Sequence, residues 1–289
     1  MRLAMQRRHA ASRVGYAIMA RATELGSGNA MNADEIIRSV GAGVHEALHA
    51  SQLFLGVEQF AFENADIHPE YLTTVKVAEQ LTGPSRFVSL ETHMKVLRKQ
   101  ARARARFKVL GNSSALAAID HALLPFKFGK KDSRRLDILV RGADFGSPPI
   151  LILEAKLGVD NLNGVIGDVD RIIRLFDMLE VVGLLDASLY GAAIFHLMED
   201  GASTATLTTK AAALIAGVNS HLAMQKLARP WLNYKVGMLA HAQTLAPVDG
   251  YLETYDDGTA EPVFGKHGFY FAPGMVLLGQ AADVNSVTF

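Results

Sequence analysis

The sequence predicts an α/β protein of the α+β type, in which a central mixed β-sheet is flanked by helices and preceded by a helical region. Three observations support this class. Short apolar runs at residues 136–140, 150–156 and 190–197 are typical of strands that are buried on both faces. Segments with apolar residues every three and four positions surround these runs and indicate amphipathic helices. The chain has 289 residues, 49% apolar and 20% charged, so it can bury one sizeable core.

The amino end is predicted to be a basic extension over residues 1–31, either helical or disordered, ahead of a single domain over residues 32–289. Gly and Ser residues at positions 26–29 mark the break between them. The first 25 residues contain five arginines and one acidic residue, a composition that is typical of an organelle transit peptide. A frayed basic helix, or a start site at Met31, explains the same composition.

The first part of the domain is expected to be mostly helical. Apolar spacing predicts a helix over residues 34–64 and a second over 69–81, in which Pro69 suits the first turn. Residues 86–90 are compatible with a short strand. The run rich in Arg and Lys that ends at Lys108 predicts either a helix or a solvated arm.

A β-hairpin is predicted at the centre of the chain, where turn residues join the runs 136–140 and 150–156. Both faces of each run are mostly apolar, so we expect two central strands that are covered on both sides. The elements expected after the hairpin are a helix over 161–182, a strand over 190–197, a helix over 208–227 and β-like stretches at 236–240 and 269–271.

Composition excludes several classes of protein. The chain contains no cysteine, which rules out disulfide frameworks, thiolate zinc sites, iron–sulfur clusters and cysteine nucleophiles. No run approaches the roughly 18 apolar residues of a membrane helix, so no membrane contact is expected. Both observations favour a soluble, cytoplasmic protein.

Charge is distributed unevenly along the chain. The 29 basic residues offset the 29 acidic ones, but residues 86–135 contain thirteen basic and three acidic residues, a net charge of about +10. Such a segment can supply the phosphate contacts that give sequence-independent affinity for nucleic acid. A solvated surface is the alternative. The candidate nucleic-acid contacts are Arg98, Lys99, Arg102, Arg104, Arg106, Lys130, Lys131, Arg134 and Arg135.

Three ionisable residues interrupt the predicted hairpin: Asp137, Glu154 and Lys156. Side chains alternate along a strand, so Glu154 and Lys156 project from one face, and a turn centred on residues 145 and 146 places Asp137 opposite Glu154 on that face. Paired carboxylates need a neutralising cation, and hard oxygen ligands select Mg²⁺ or Mn²⁺. The lysine would then orient a water or stabilise charge on a phosphate. A buried ion pair, or strand-end charges that reach solvent, is the structural alternative.

This pattern resembles the PD-(D/E)XK nuclease superfamily, the restriction-endonuclease-like fold, which has an Asp on one strand and Glu-x-Lys on the next. Here Asp137 is followed seventeen residues later by Glu154-Ala155-Lys156. The family core has the element order α-β-β-β-α-β, which the resemblance places at about residues 66–200. Two features depart from the family: Leu136 stands where the family has Pro, and a long basic insert precedes the hairpin.

The resemblance implies a metal-dependent endonuclease that hydrolyses phosphodiester bonds, with DNA as the expected partner and a homodimer left open. The two carboxylates would hold Mg²⁺ or Mn²⁺, and the lysine would assist the attacking water. The family often adds an acid from the first helix, for which Glu70 and Glu79 are candidates, and Glu91 follows the first predicted strand. The helix dipole also explains an acid at Glu70. A non-catalytic nucleic-acid-binding module with the same fold is an alternative.

Two arginines on the helix after the hairpin, Arg171 and Arg174, are three positions apart and share a face, where they could contact phosphate. A solvated face is favoured instead, because Asp168, Asp170 and Asp177 are available there as partners.

A competing motif occurs in the first predicted helix, where His45-Glu46-Ala47-Leu48-His49 matches H-E-x-x-H. On a helix the two histidines lie one turn apart and can both ligate Zn²⁺, with Glu46 polarising a water as in zinc peptidases. The third ligand would be Glu63, His68 or Glu70. An amphipathic helix with two partly buried histidines is the favoured interpretation.

Overall fold

The computed structural model describes residues 31–55, 69–129, 133–143, 146–156, 162–200, 203–240, 243–254 and 258–289. It is a mixed α/β structure in which helices flank both faces of a seven-stranded mixed sheet. In chain order the elements are α1 (Ala33–Leu55), α2 (Pro69–Leu81), β1 (Phe87–His93), α3 (Met94–Lys108), α4 (Ser113–Ala122), β2 (Arg135–Arg141), β3 (Pro149–Lys156), α5 (Leu162–Glu180), β4 (Tyr190–Asp200), α6 (Thr204–Ala228), β5 (Asn233–Met238), β6 (Gln243–Thr254), β7 (Ala260–Gly279) and α7 (Asp283–Ser286).

The sheet has the strand order β1-β2-β3-β4-β7-β5, and β6 pairs with the long strand β7. Strands β3 and β4 are parallel and are connected through α5, whereas the other pairs are antiparallel. Across the described part of the chain, none of the helices is long and apolar enough to cross a membrane.

Most of the predicted elements are present. The helix over 69–81, the central hairpin and the helix after it are confirmed, and the basic run that ends at Lys108 is a helix. The first helix is described as far as Leu55, so the rest of its predicted range, like residues 1–30, lies outside the described residues. Helix α4 and strand β6 were not predicted.

The core lies on both faces of the hairpin. Leu139 and Ile152 face the layer that contains α3, α5 and α6, whereas Ile138 and Leu151 face α1 and α2. All four side chains are 0% exposed. Burial of each such side chain contributes about 1.5–3 kcal/mol, so the prediction of central strands is confirmed and has a clear energetic basis.

A glycine on β4 allows α5 to pack directly on the sheet. A Cβ atom at Gly191 would lie 2.3 Å from Ile172 Cγ2, closer than real contacts allow, and 3.1 Å from the Phe176 ring, which is tighter than most. The close approach brings the polar side of α5 next to the end of β3.

A carboxylate in α7 links distant segments. Asp283 accepts a hydrogen bond of 2.9 Å from the amide of Ala33, at the start of α1, and another of 2.9 Å from the hydroxyl of Tyr190, at the start of β4.

Candidate active site

The hairpin register brings Asp137 and Glu154 together. Ile138 pairs with Leu153 and Leu139 with Ile152, so the next step along both strands places Asp137 opposite Glu154, as the predicted turn requires. Asp137 Oδ2 also accepts a hydrogen bond of 2.7 Å from the amide of Ala155. The two carboxyls therefore lie side by side where β3 approaches its end.

Burial controls the charge state of this pair. Glu154 is only 3% exposed, and burial raises its pKa to about 8, with nearby Asp137 raising it further and Arg171 opposing the shift. Burial also raises the pKa of Asp137, while the Ala155 amide and a hydrogen bond with Glu154 lower it. Two adjacent carboxyls, one buried and one half-buried, retain a proton or require a cation.

A helix residue supplies one such cation. Arg171 on α5 donates from Nη1 to Glu154 Oε1 at 2.8 Å and from Nη2 to Asp168 Oδ1 at 2.9 Å. Asp168 is buried, and burial raises its pKa. The prediction of a solvated face for these residues is therefore wrong, although the partner of Arg171 was anticipated. Asp168 lies three positions after Val165 and four before Ile172, a spacing that already placed it on the buried stripe.

The other helix charges that were predicted to be solvated have their own partners. Asp170 lies 2.7 Å from His221, and Asp177 accepts two hydrogen bonds from Arg229. Arg174 donates to the carbonyl of Pro125 at 2.8 Å. Asp170, Arg174 and Asp177 do not line the cavity that contains Asp137 and Glu154.

An open cavity of about 600 Å³ contains the site. Lys156, the third residue of the predicted constellation, lines it together with both carboxylates. The two additional acids proposed from sequence, Glu70 and Glu91, line it as well, whereas Glu79 instead pairs with Lys76 at 2.8 Å. The remaining lining residues are Ser133, Arg134, Arg135, Ala155 and Arg171.

The backbone of Glu91 is strained. Its φ is 51°, the one positive value at a non-glycine residue in the described ranges. Leu90 and Thr92 pair with β2 on either side of it, so Glu91 stands opposite Asp137. Its carboxylate lies 3.5 Å from Arg135 Nη1. Strain of this kind, of order 1–3 kcal/mol, is often found at functional sites.

A buried histidine holds the end of β3. His196 is 1% exposed, its Nδ1 lies 2.9 Å from the carbonyl oxygen of Lys156, and its ring packs 5.1 Å from that of Phe271. Burial lowers the pKa of His196 to about 4, so the ring is neutral at pH 7 and Nδ1 donates its proton to the carbonyl. No pattern in the sequence indicates this contact.

The basic residues of the segment 86–135 differ in their partners and in their distance from the cavity. In α3, Arg102 and Arg106 both donate to Asp120, with hydrogen bonds of 2.6–2.7 Å, and Arg98 donates to the carbonyl of Phe126 at 2.6 Å. Arg104 donates to the carbonyl of Gly146, while Lys99 is exposed. Lys130 and Lys131 lie outside the described residues. Only Arg134 and Arg135, among the predicted nucleic-acid contacts that the structure describes, line the cavity.

The H-E-x-x-H motif lies on α1 with His45, Glu46 and His49 exposed, so the expected partial burial of the histidines is wrong. Glu46 accepts a hydrogen bond of 2.7 Å from Gln80. In the described ranges, no cluster of three or more His, Cys, Asp or Glu side chains is arranged to hold a metal. Two of the proposed third ligands, Glu63 and His68, lie outside those ranges, and Glu70 lines the other site.

Comparison with known proteins adds no assignment. No protein-family model, curated protein or solved structure matches this chain. The function is therefore argued from the geometry of the site.

Proposed function

We propose that the protein is a nuclease that uses Mg²⁺ or Mn²⁺ to hydrolyse phosphodiester bonds in DNA. The observation that carries this proposal is the pairing of half-buried Asp137 with buried Glu154 at the edge of an open cavity that Lys156 also lines. Two carboxylates and one ammonium at such an edge provide a cation site beside a group that can act on phosphate.

The order of elements supports the same proposal. From α2 to β4 the chain runs α2-β1-β2-β3-α5-β4, with α3 and α4 inserted between β1 and β2. This is the α-β-β-β-α-β order that the resemblance to the PD-(D/E)XK superfamily implies, and the basic insert is the departure noted from the sequence.

The available ligands suit a hard divalent cation. Asp137 and Glu154 offer carboxylate oxygens, and Mg²⁺ is commonly held by one or two carboxylates together with waters and substrate phosphates. A pair of protein carboxylates is therefore sufficient for this cation. Bound Mg²⁺ or Mn²⁺ would polarise the phosphate and lower the pKa of an attacking water.

The remaining cavity residues would handle the substrate. Lys156 lines the cavity, and its ammonium would orient the water or stabilise negative charge that develops on the phosphate. Arg134 and Arg135 are exposed at the same cavity and would hold flanking phosphates of the strand.

A cleavage assay tests the proposal. Plasmid and single-stranded DNA are incubated with the full chain in Mg²⁺, Mn²⁺ or EDTA, alongside Lys156→Ala and a control, Lys235→Ala, on the far edge strand β5. We expect cleavage that EDTA abolishes, that falls by about 100-fold or more in Lys156→Ala, and that is unchanged in Lys235→Ala. Cleavage that persists in EDTA or in Lys156→Ala, or DNA binding without any cleavage, would contradict the proposal.

A further inference from the structure

Arg171 links the sheet to helix α5 through two acids. One Nη atom lies 2.8 Å from Glu154 on β3, and the other lies 2.9 Å from Asp168, one turn earlier on its own helix. The side chains of Glu154 and Asp168 are 3% and 4% exposed, and that of Arg171 is 21% exposed and borders the cavity. A single guanidinium therefore serves two buried carboxylates and also faces the space where substrate would bind.

The two contacts of Arg171 have different relations to the carboxylate pair. The contact with Glu154 occupies Oε1, an oxygen that a divalent cation would need. The contact with Asp168 is an ion pair between residues three apart on one helix, and it does not depend on the end of the sheet. Loss of the first contact therefore leaves the second in place.

We infer that Arg171 is the internal counter-ion of the carboxylate site, which a divalent cation displaces from Glu154 and which Asp168 then keeps beside the bound phosphate. This inference rests on the proposed nuclease function. In the metal-free protein Arg171 donates a hydrogen bond to Glu154, and in the loaded protein its freed N–H groups donate to phosphate oxygens. Arg171 is thus both a competitor of the cation and a positive group for the substrate.

The consequence is a pair of effects with opposite signs. Removal of the guanidinium takes away a competitor, so the free protein should bind Mn²⁺ more tightly, by about fivefold or more. The same change removes a donor to the phosphate, so cleavage should fall by about tenfold or more. A purely structural role for Arg171 predicts a loss of both Mn²⁺ binding and cleavage.

The experiment measures Mn²⁺ binding to the full chain without nucleic acid, by calorimetry and by electron paramagnetic resonance, and measures cleavage separately. The variants are Arg171→Met, which keeps the volume of the side chain without its charge, and Asp168→Asn. We expect tighter Mn²⁺ binding with slower cleavage in Arg171→Met, and weaker Mn²⁺ binding with slower cleavage in Asp168→Asn, where Arg171 has Glu154 as its remaining carboxylate partner.

Another acid–arginine pair of α5 provides the control. Asp177 and Arg229 form two hydrogen bonds of 2.6 and 2.7 Å, and neither residue lines the cavity. Arg229→Met and Asp177→Asn should change neither Mn²⁺ binding nor cleavage, and thermal unfolding shows whether each variant is folded.

The outcomes separate the two proposals. If wild-type protein binds Mn²⁺ through Glu154 and cleaves DNA, but Arg171→Met binds Mn²⁺ equally or more weakly, the counter-ion role is overturned and the nuclease stands. If Arg171→Met does not fold, Arg171→Gln, which also removes the charge, is the second variant, and unchanged Mn²⁺ affinity in it likewise overturns the role. If wild-type protein binds no Mn²⁺, both proposals fail.

Discussion

Two clusters of an acid with arginine occupy opposite environments in this molecule. Glu154 and Arg171 are packed between β3 and α5, whereas Asp120 meets Arg102 and Arg106 on the surface between α3 and α4. Burial raises the pKa of Glu154 to about 8, but hydrogen bonds from the two arginines lower the pKa of Asp120 to about 2. Ion pairing is common to both clusters, so desolvation is what distinguishes a candidate cation site from a structural surface contact.

The difference between the two clusters is tested most directly by isosteric substitutions that neutralise Glu154 and Asp120. Glu154→Gln should reduce DNA cleavage by about 100-fold or more, because a cation ligand is lost. Asp120→Asn should change the cleavage rate by less than about twofold, because its contacts lie on the surface and are worth little. Initial rates of plasmid nicking under Mg²⁺ provide the measurement, and equal effects in the two variants would show that burial does not mark function here.

The difference between Glu154 and Asp120 is also tested by how the stabilisation of the protein by Mn²⁺ depends on pH. The folded-state pKa of Glu154 is raised, so the contribution of this group to the stability of the metal-free fold is fully present below its unfolded pKa of about 4.5 and is lost as pH rises through about 8. Mn²⁺ relieves this cost, so the increase in Tm that it causes should be larger at pH 8 than at pH 6. With a pKa of about 8, the ionised fraction of Glu154 rises from about 1% at pH 6 to about half at pH 8, so the apparent Mn²⁺ affinity should rise by roughly 50-fold over that range.

Differential scanning fluorimetry with and without Mn²⁺ measures this effect. Glu154→Gln should remove the pH dependence of the increase in Tm that Mn²⁺ causes. The lowered pKa of Asp120 contributes stability that is lost only in acid, as pH falls towards 2, so Asp120→Asn should keep the wild-type trend between pH 6 and 8. A Tm increase that is independent of pH in wild type would contradict the assignment of Glu154.

Two pairs of arginines in the basic segment, residues 86–135, should differ in how much they contribute to DNA affinity. Replacement of Arg134 and Arg135 by Ala should weaken DNA binding severalfold and reduce the salt dependence by about one unit of slope per lost phosphate contact. Replacement of Arg102 and Arg106 by Ala should have little effect, because Asp120 already engages both side chains. Fluorescence anisotropy in EDTA at several salt concentrations distinguishes these outcomes, and a larger effect from the second pair would place the DNA on α3.

The smallest expected effect concerns Glu91. Its positive φ costs about 1–2 kcal/mol in any residue that has a Cβ atom, so Glu91→Gly should stabilise the fold by about 1 kcal/mol. Glu91→Ala loses the same carboxylate but keeps the strain. The difference between the two variants in the free energy of unfolding, measured with urea, therefore gives the cost of the positive φ. Equal stability of the two variants would exclude backbone strain at this position.

The sequence was most informative where burial produces a regular pattern of apolar and polar residues. The runs around Leu139 and Ile152 are apolar on both faces, and this pattern predicted the central hairpin, while the pairing of Asp137 with Glu154 also required the assumption of a turn centred on residues 145 and 146. Alternation along a strand is a strict geometric rule, so two charged positions could be placed on one face without any knowledge of the rest of the chain.

The sequence was least informative where charged residues contact each other between elements. Asp168 and Arg171, three positions apart, form the same intrahelical pair on a solvated face as on a buried one, so the pairing does not indicate burial, whereas the position of Asp168 on the apolar stripe does. Helix α4 was missed although Asn112 caps it by accepting from the amide of Ala115, because the helix is short and none of its residues is buried. Strand β6 pairs with β7 with two shifts in register, which hides any regular alternation.

The carboxylate of Asp283 has a consequence for the synthesis of the protein. It contacts Ala33, 250 positions earlier, and Tyr190, 93 positions earlier. During translation, α1 and β4 emerge from the ribosome long before this partner does, and an interrupted chain never acquires it. The contacts that this carboxylate makes with α1 and β4 therefore form only after residue 283 has been synthesised.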